Sequence, residues 1–193
     1  DIIAYFKSKK AYRHIIIAGH SEGSLIGMVA AFGNVDGFIS IAGPGRTIDL
    51  VIAEQIGKQA PNLKEEVEKN LGLLKSGQTF KLENQALSFL FRESLQPYLI
   101  SWIKYNPQIE IQKLQIPVLL INGTKDIQVP VSDAELLKKV KPDAQLKIIN
   151  NMNHLFKEIK TDDLAENQAA YNNPDLPIAP EMVSAVNQFV KSL

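Results

Sequence analysis

The feature that most limits the fold of this chain is a strand-like run followed by a turn between two glycines and then by a helix-like segment. The run from His14 to Ala18 contains three consecutive isoleucines, which is typical of a strand buried on both faces of a parallel sheet. Gly19 to Gly23 interrupts it, and residues 25–32 have the composition of a helix. A strand that turns directly into a helix belongs to an alternating α/β fold.

The rest of the chain repeats this alternation with one interruption. Further buried strands are predicted at 37–42 and 117–121 and a short fourth strand at 146–149, so the α/β core comprises residues 1–46 and 107–193. Parallel strands joined through helices imply a mostly parallel sheet of about four strands. No strand is predicted in 47–106, where helical periodicity covers 48–60, 63–75, 86–95 and 98–105 and is broken at Pro61 and Pro97. We interpret 47–106 as a helical lid or cap inserted into the core.

The composition excludes several classes of function. Lys and Arg together number 21 and so do Asp and Glu, so no net charge draws the chain to nucleic acid or to an anionic membrane. Cysteine is absent, which excludes disulfides, thiolate catalysis and Cys-based zinc sites. The three histidines are not at metal-ligand spacing, so no metal site is predicted.

No membrane span or targeting pattern stands out. No apolar run approaches the roughly 18 residues that a bilayer-spanning helix needs. The N-terminus lacks a signal-peptide pattern and an initiator methionine, and we expect upstream sequence to be missing. The location is left open between the cytoplasm and a periplasmic or secreted site.

The pentapeptide Gly19-His20-Ser21-Glu22-Gly23 matches G-x-S-x-G, the pattern of a nucleophile elbow. As a bare pattern it also describes a glycine-rich turn with an exposed serine, but its place between a strand and a helix favours the elbow. We expect a Cβ at either glycine to clash where strand and helix backbones meet. Ser21 is the predicted nucleophile, and nearby Ser24 is interpreted as a packing residue.

A serine nucleophile needs a histidine to accept its proton and a carboxylate to orient that histidine. In an elbow fold the chain order is serine, acid, histidine, with each residue on a loop after a strand. Asp126 follows the third predicted strand and His154 follows the fourth. The predicted triad is therefore Ser21, Asp126 and His154.

The competing candidates fit less well. His14 begins the first strand, at the opposite end of the sheet, and His20 is expected to point away from the Ser21 hydroxyl. Asp133 is interpreted as a residue near a helix cap, and Asp143 as a turn residue.

Several segments together resemble bacterial α/β-hydrolase carboxylesterases. They are Gly19–Gly23, 42–45, 96–102, 116–129 and 152–154. The resemblance implies an α/β-hydrolase fold and hydrolysis of carboxylic esters through an acyl-enzyme on Ser21, without a cofactor. It also implies that the backbone N–H of Glu22 donates to the oxyanion. The same triad would serve an acyltransferase or thioesterase, and a non-catalytic binding protein of this fold is a further alternative.

The expected ligand is a small-molecule acyl ester. Aromatic residues that could line its pocket are Phe89, Phe91, Tyr98, Trp102 and Phe156. For each of them, simple packing between helices is the alternative.

The resemblance also implies an upstream segment with the first half of the sheet and a second oxyanion donor. The strand at 14–18 would then have an unpaired side that invites association. We therefore expect this chain to be stable only with a partner along that strand, either the upstream segment or a second copy. Losing one oxyanion donor would lower turnover roughly 10²- to 10³-fold.

Overall fold

The computed structural model describes residues 2–193; Asp1, the first residue of the predicted core, lies outside the described residues. The strands are β1 (Ile16–His20), β2 (Gly37–Ile41), β3 (Val118–Gly123) and β4 (Gln145–Ile149). The helices are α1 (Ile2–Ser8), α2 (Glu22–Ala31), α3 (Ile48–Gln59), α4 (Lys64–Lys75), α5 (Ser88–Phe91), α6 (Gln96–Ile103), α7 (Pro107–Gln112), α8 (Val131–Val140), α9 (Leu164–Tyr171) and α10 (Pro180–Lys191). None of the helices within 2–193 is long and apolar enough to cross a bilayer.

The four strands form one parallel sheet in the order β1-β2-β3-β4. The predicted α/β class with a mostly parallel sheet is confirmed. Every side chain of β2 and β3 is buried, as their continuous apolar sequences predict. Residues of α10 pack with these two strands in a shared hydrophobic core, Phe189 being almost wholly inaccessible.

The first strand differs from its prediction in register and in burial. It covers Ile16–His20 rather than 14–18, because Gly19 and His20 continue the ladder opposite β2. Ile16 and Ile17 are half-buried and Ala18 is exposed. Burial on both faces is therefore incomplete within residues 2–193. The only neighbour of β1 in these residues is β2, which leaves one side of the strand unpaired, as the family resemblance implies.

The chain divides into two units, residues 2–45 with 107–193, and residues 46–106. The second unit is helical and has its own apolar core, to which α3, α4 and α6 contribute Val51, Leu71, Leu74 and Leu99. No strand occurs in this unit. Its role as a lid stays a prediction.

One side chain breaks the helix expected over residues 86–95. Gln96 is completely buried, and its Nε2 donates to the carbonyls of Phe80 (2.9 Å) and Phe91 (2.8 Å). Its Oε1 accepts the backbone N–H of Phe80 at 2.8 Å. In a continuous helix the Phe91 carbonyl would accept from Leu95, which donates to Arg92 instead. The segment therefore consists of α5 between two short 3₁₀ turns.

Candidate active site

Ser21 lies where β1 turns into α2, and its backbone is strained. Its φ of 54° and ψ of −122° are sparsely populated by residues with a side chain. The Ser21 N–H donates to the carbonyl of Ile41 at the end of β2, at 2.9 Å. The side chain of Ser21 makes no capping bond to α2, so its hydroxyl is not used in holding the turn.

Only one of the two elbow glycines is required by close packing. A Cβ on Gly19 would lie 2.1 Å from the carbonyl oxygen of Gly23 and 2.8 Å from the Cα of Ser24. A Cβ on Gly23 would meet no atom of the described residues within 4 Å. The expectation that both glycines avoid a clash is therefore corrected. The backbones of β1 and α2 therefore leave no room for a side chain at Gly19, whereas they leave room for one at Gly23.

This asymmetry predicts different outcomes for two alanine substitutions. Gly19→Ala should lower the free energy of unfolding by about 3 kcal/mol or more, since the clash is with rigid backbone. Gly23→Ala should stay within about 1 kcal/mol of the wild type, because alanine is the better helix former. Urea unfolding of both variants measures the difference. Equal destabilisation would contradict the geometry.

Asp126 lies in the loop after β3 and is held by three hydrogen bonds. Its Oδ1 accepts the backbone N–H groups of Gln128 and Val129, both at 2.8 Å. Its Oδ2 lies 2.8 Å from Nδ1 of His154. The carboxylate is inaccessible to solvent, so both its position and its direction are fixed by the loop and the histidine.

His154 follows β4 and is 3% exposed. Since its Nδ1 faces the Asp126 carboxylate, the neutral ring carries its proton there and keeps the lone pair of Nε2. This is the tautomer that a general base for a serine needs. Among the described residues 2–193, no hydrogen bond joins the Ser21 hydroxyl to His154. A hydrogen bond between nucleophile and base often forms only when substrate binds.

His20 contacts the predicted base, which the sequence interpretation missed. Its ring lies 4.7 Å from that of His154 and 4.6 Å from that of Phe156, centroid to centroid. Its Nε2 lies 3.0 Å from the carbonyl oxygen of His154, to which it donates. A histidine dismissed as a rival base is thus a neighbour that holds the backbone of His154. The G-x-S-x-G spacing alone carries no signal of this contact.

Burial is the main cause that lowers the pKa of His20 below 6.5, and the nearby His154 lowers it further. The bond to the His154 carbonyl and the charge of Asp126 act in the opposite direction. A lowered pKa means that the unfolded chain takes up the proton first as the pH falls. The stability contributed by neutral His20 is therefore present above about pH 6.5 and lost as the pH falls towards the folded-state pKa.

The expected result is a free energy of unfolding that declines as the pH falls below about 6.5, with a shallower decline in His20→Gln. Glutamine keeps a donor for the His154 carbonyl but does not titrate. Urea titrations at several pH values measure the slopes of the wild type and of His20→Gln, and identical slopes in the two proteins would refute the assignment.

Glu22 opens α2 directly after Ser21. Burial raises the pKa of its carboxyl group. The first N–H groups of a helix lack an intrahelical acceptor, so the backbone N–H of Glu22 can donate a hydrogen bond to an anion. This geometry is compatible with the oxyanion role implied by the family resemblance.

Two residues set aside in the sequence have structural roles. Asp133 is completely buried, and its Oδ1 accepts the N–H of Gly45 at 2.8 Å. Asp133 lies in the first turn of α8, whose N-cap is Pro130, as expected for a residue near the cap, and its bond to Gly45 joins this helix to the loop after β2. Ser24 is also completely buried and shares a 2.7 Å hydrogen bond with Ser40, as expected for a packing residue.

The candidate pocket aromatics are in different environments. Within the helical unit, Phe91 is completely buried in the core beside Phe80, so it is a core residue there. Phe89 and Tyr98 are exposed, and Trp102 packs partly buried against that core. In the α/β unit, Phe156 is half-buried beside His20, with a positive φ of 66°.

Three features together define the class of the α/β-hydrolase fold. They are the parallel sheet, the strained serine between a strand and a helix, and the aspartate and histidine on later loops. Within residues 2–193 no group of three acidic or histidine side chains could hold a metal ion.

Comparisons with known proteins agree with this class. No protein-family model matches the chain. Esterase EstD from Thermotoga maritima is 28% identical over an alignment of 164 positions, which covers 81% of this chain and 38% of that protein. The chain thus spans 38% of the length of this curated relative. The predicted likeness to bacterial α/β-hydrolase esterases is confirmed.

Solved structures show the same fold at low sequence identity. The esterase RhEst1 from a Rhodococcus species superimposes with a TM-score of 0.51 at 21% identity, covering 100% of this chain and 70% of that chain. A bromoperoxidase from Bacillus anthracis has a TM-score of 0.54 at 15% identity, covering 98% and 71%. A hydrolase from Pseudomonas aeruginosa has a TM-score of 0.52 at 17% identity, covering 98% and 69%.

Proposed function

We propose that this chain carries the catalytic residues of a serine hydrolase that cleaves carboxylic esters. The observation that carries the proposal is the 2.8 Å hydrogen bond between the buried Asp126 carboxylate and Nδ1 of His154, at the same sheet edge as the strained Ser21. A buried carboxylate is costly unless it is paired, and this one is directed at a histidine. The esterase likeness supports the same activity.

The proposed reaction begins with attack of Ser21 Oγ on the carbonyl carbon of the ester. Nε2 of His154 takes the hydroxyl proton, and Asp126 stabilises the imidazolium that forms. The Glu22 N–H donates to the oxyanion of the tetrahedral intermediate. That intermediate collapses, the C–O bond to the alcohol breaks, and the alcohol leaves with the proton from Nε2.

Water then completes the cycle. It loses a proton to Nε2 of His154 and attacks the acyl-enzyme carbonyl carbon. The bond to Ser21 Oγ breaks, the proton returns to that oxygen, and the carboxylic acid is released. Every proton step uses one ring nitrogen, so no cofactor is needed.

The same residues would serve an acyltransferase or thioesterase, and a substrate panel separates these functions. We expect an aryl acetate to be hydrolysed faster than the matching thioester and anilide, with little acyl transfer to added alcohol. Faster thioester turnover or dominant transfer would favour an alternative activity. No turnover of any substrate, together with no covalent labelling of Ser21, would indicate a non-catalytic binding protein.

A further inference from the structure

Two asparagines connect the loops that carry Asp126 and His154. Asn153, the residue before His154, donates from Nδ2 to Oδ1 of Asn167 at 3.2 Å. Asn167, on α9, donates from its own Nδ2 to the carbonyl of Lys125 at 2.7 Å. Lys125 directly precedes Asp126, so the chain of bonds joins the residues immediately before the acid and the histidine.

The direction of these bonds is fixed by their partners. The Lys125 carbonyl can only accept, so the Asn167 nitrogen must face it and the Asn167 oxygen must face Asn153. The Asn153 oxygen already accepts the N–H groups of Leu155 and Lys157, at 3.0 and 2.9 Å. Only its nitrogen is left for Asn167. The network is therefore self-consistent in one orientation.

Both asparagines are buried, at 0% and 4% exposure for Asn153 and Asn167. Leaving either unpaired would carry the cost of a buried polar group without a partner. Helix α9 has a second link to the acid loop, because Nε2 of Gln128 lies 3.1 Å from the hydroxyl of Tyr171. The helix is thus bonded on both sides of Asp126.

We propose that Asn167 is a positioning residue that sets the distance and angle between Asp126 and His154. The inference rests on the proposed function, since it concerns the alignment of its acid and base. Each of its bonds acts one residue away from a reacting side chain. Displacements of about 1 Å in such a pair can change the rate about 100-fold.

Two variants of Asn167 test the proposal. Asn167→Leu removes both hydrogen bonds at similar side-chain volume. Asn167→Asp keeps an acceptor for Asn153 but replaces the donor to the Lys125 carbonyl. We expect kcat to fall roughly 10- to 100-fold in both, with KM changed much less, because alignment rather than binding is lost. Gln168→Ala, an exposed neighbour on the same helix, is the matched control and should keep the wild-type kcat. The second variant decides the question if the leucine variant fails to fold.

Proton NMR gives a readout that a purely structural role would not change. The Nδ1–H proton of His154, identified by its loss in Asp126→Asn, should be shifted or broadened in both Asn167 variants and unchanged in Gln168→Ala. Folded Asn167 variants with the kcat and resonance of the control would overturn the proposal. If Ser21→Ala remained fully active, the proposed function would fail instead, while the resonance would still decide the role of Asn167.

Discussion

Replacing Ser21 by alanine is expected to lower the rate of ester hydrolysis on the order of 10⁶-fold. The substitution removes the oxygen that attacks the ester carbonyl carbon in the proposed mechanism. The turn should survive, because the Ser21 hydroxyl makes no capping bond and the N–H that bonds Ile41 belongs to the backbone. Initial rates with an aryl acetate measure the loss, and circular dichroism verifies the fold.

Ser24→Ala is the matched control for this prediction. It removes a hydroxyl three positions along the chain that is buried against Ser40. We expect a modest loss of stability, about 1–3 kcal/mol for the unpaired Ser40 hydroxyl, and turnover near the wild-type rate. Loss of activity in Ser24→Ala with retention in Ser21→Ala would refute the choice of nucleophile.

Replacing His154 by alanine should cause a loss of similar size, on the order of 10⁶-fold in kcat. Without Nε2, the serine proton has no acceptor, and the remaining oxyanion donor and binding contacts cannot activate the hydroxyl. The acylation rate in a single-turnover experiment reports this step directly.

His14→Ala is the control for the base, because His14 is exposed and precedes β1. It should retain most of the wild-type acylation rate. His20 is unsuitable as a control, since its Nε2 bonds the backbone of His154. Equal losses in His14→Ala and His154→Ala would contradict the assignment.

The sequence was most informative where one local signal decides the structure. The continuous apolar runs predicted β2 and β3, which are buried at every residue. The apolar sequence of β1 did not predict its extent of burial, because burial depends on what covers and flanks a strand, and within residues 2–193 β1 has a neighbour on one side only. Its start was also misplaced by two residues, since strand and turn overlap at Gly19 and His20.

Two helical segments that depend on tertiary contacts were not predicted correctly from the sequence. Helix α9 has only a weak apolar periodicity, and its Asp163 cap and its buried Asn167 stabilise it in the folded chain. The expected helix over 86–95 is broken by the side chain of Gln96, whose partners are up to 16 residues away. Propensity summed along a window does not contain such bonds.

The candidate site was also predicted only in part from the sequence. Ser21, Asp126 and His154 were selected from chain order, loop position and residue type, and the second and third of these residues are hydrogen-bonded to each other. The contacts of His20 and Asn167 with the loops around them join residues far apart in the sequence. No spacing rule indicates those contacts, so only the folded structure reveals them.

Covalent labelling by a fluorophosphonate probe, with the modified residue located by mass spectrometry, is the most direct test of Ser21 as the nucleophile. We expect a single adduct on Ser21 that is absent in Ser21→Ala, strongly reduced in His154→Ala and absent from the unfolded chain. An unlabelled folded protein, or an adduct on another serine at the wild-type rate, would contradict it.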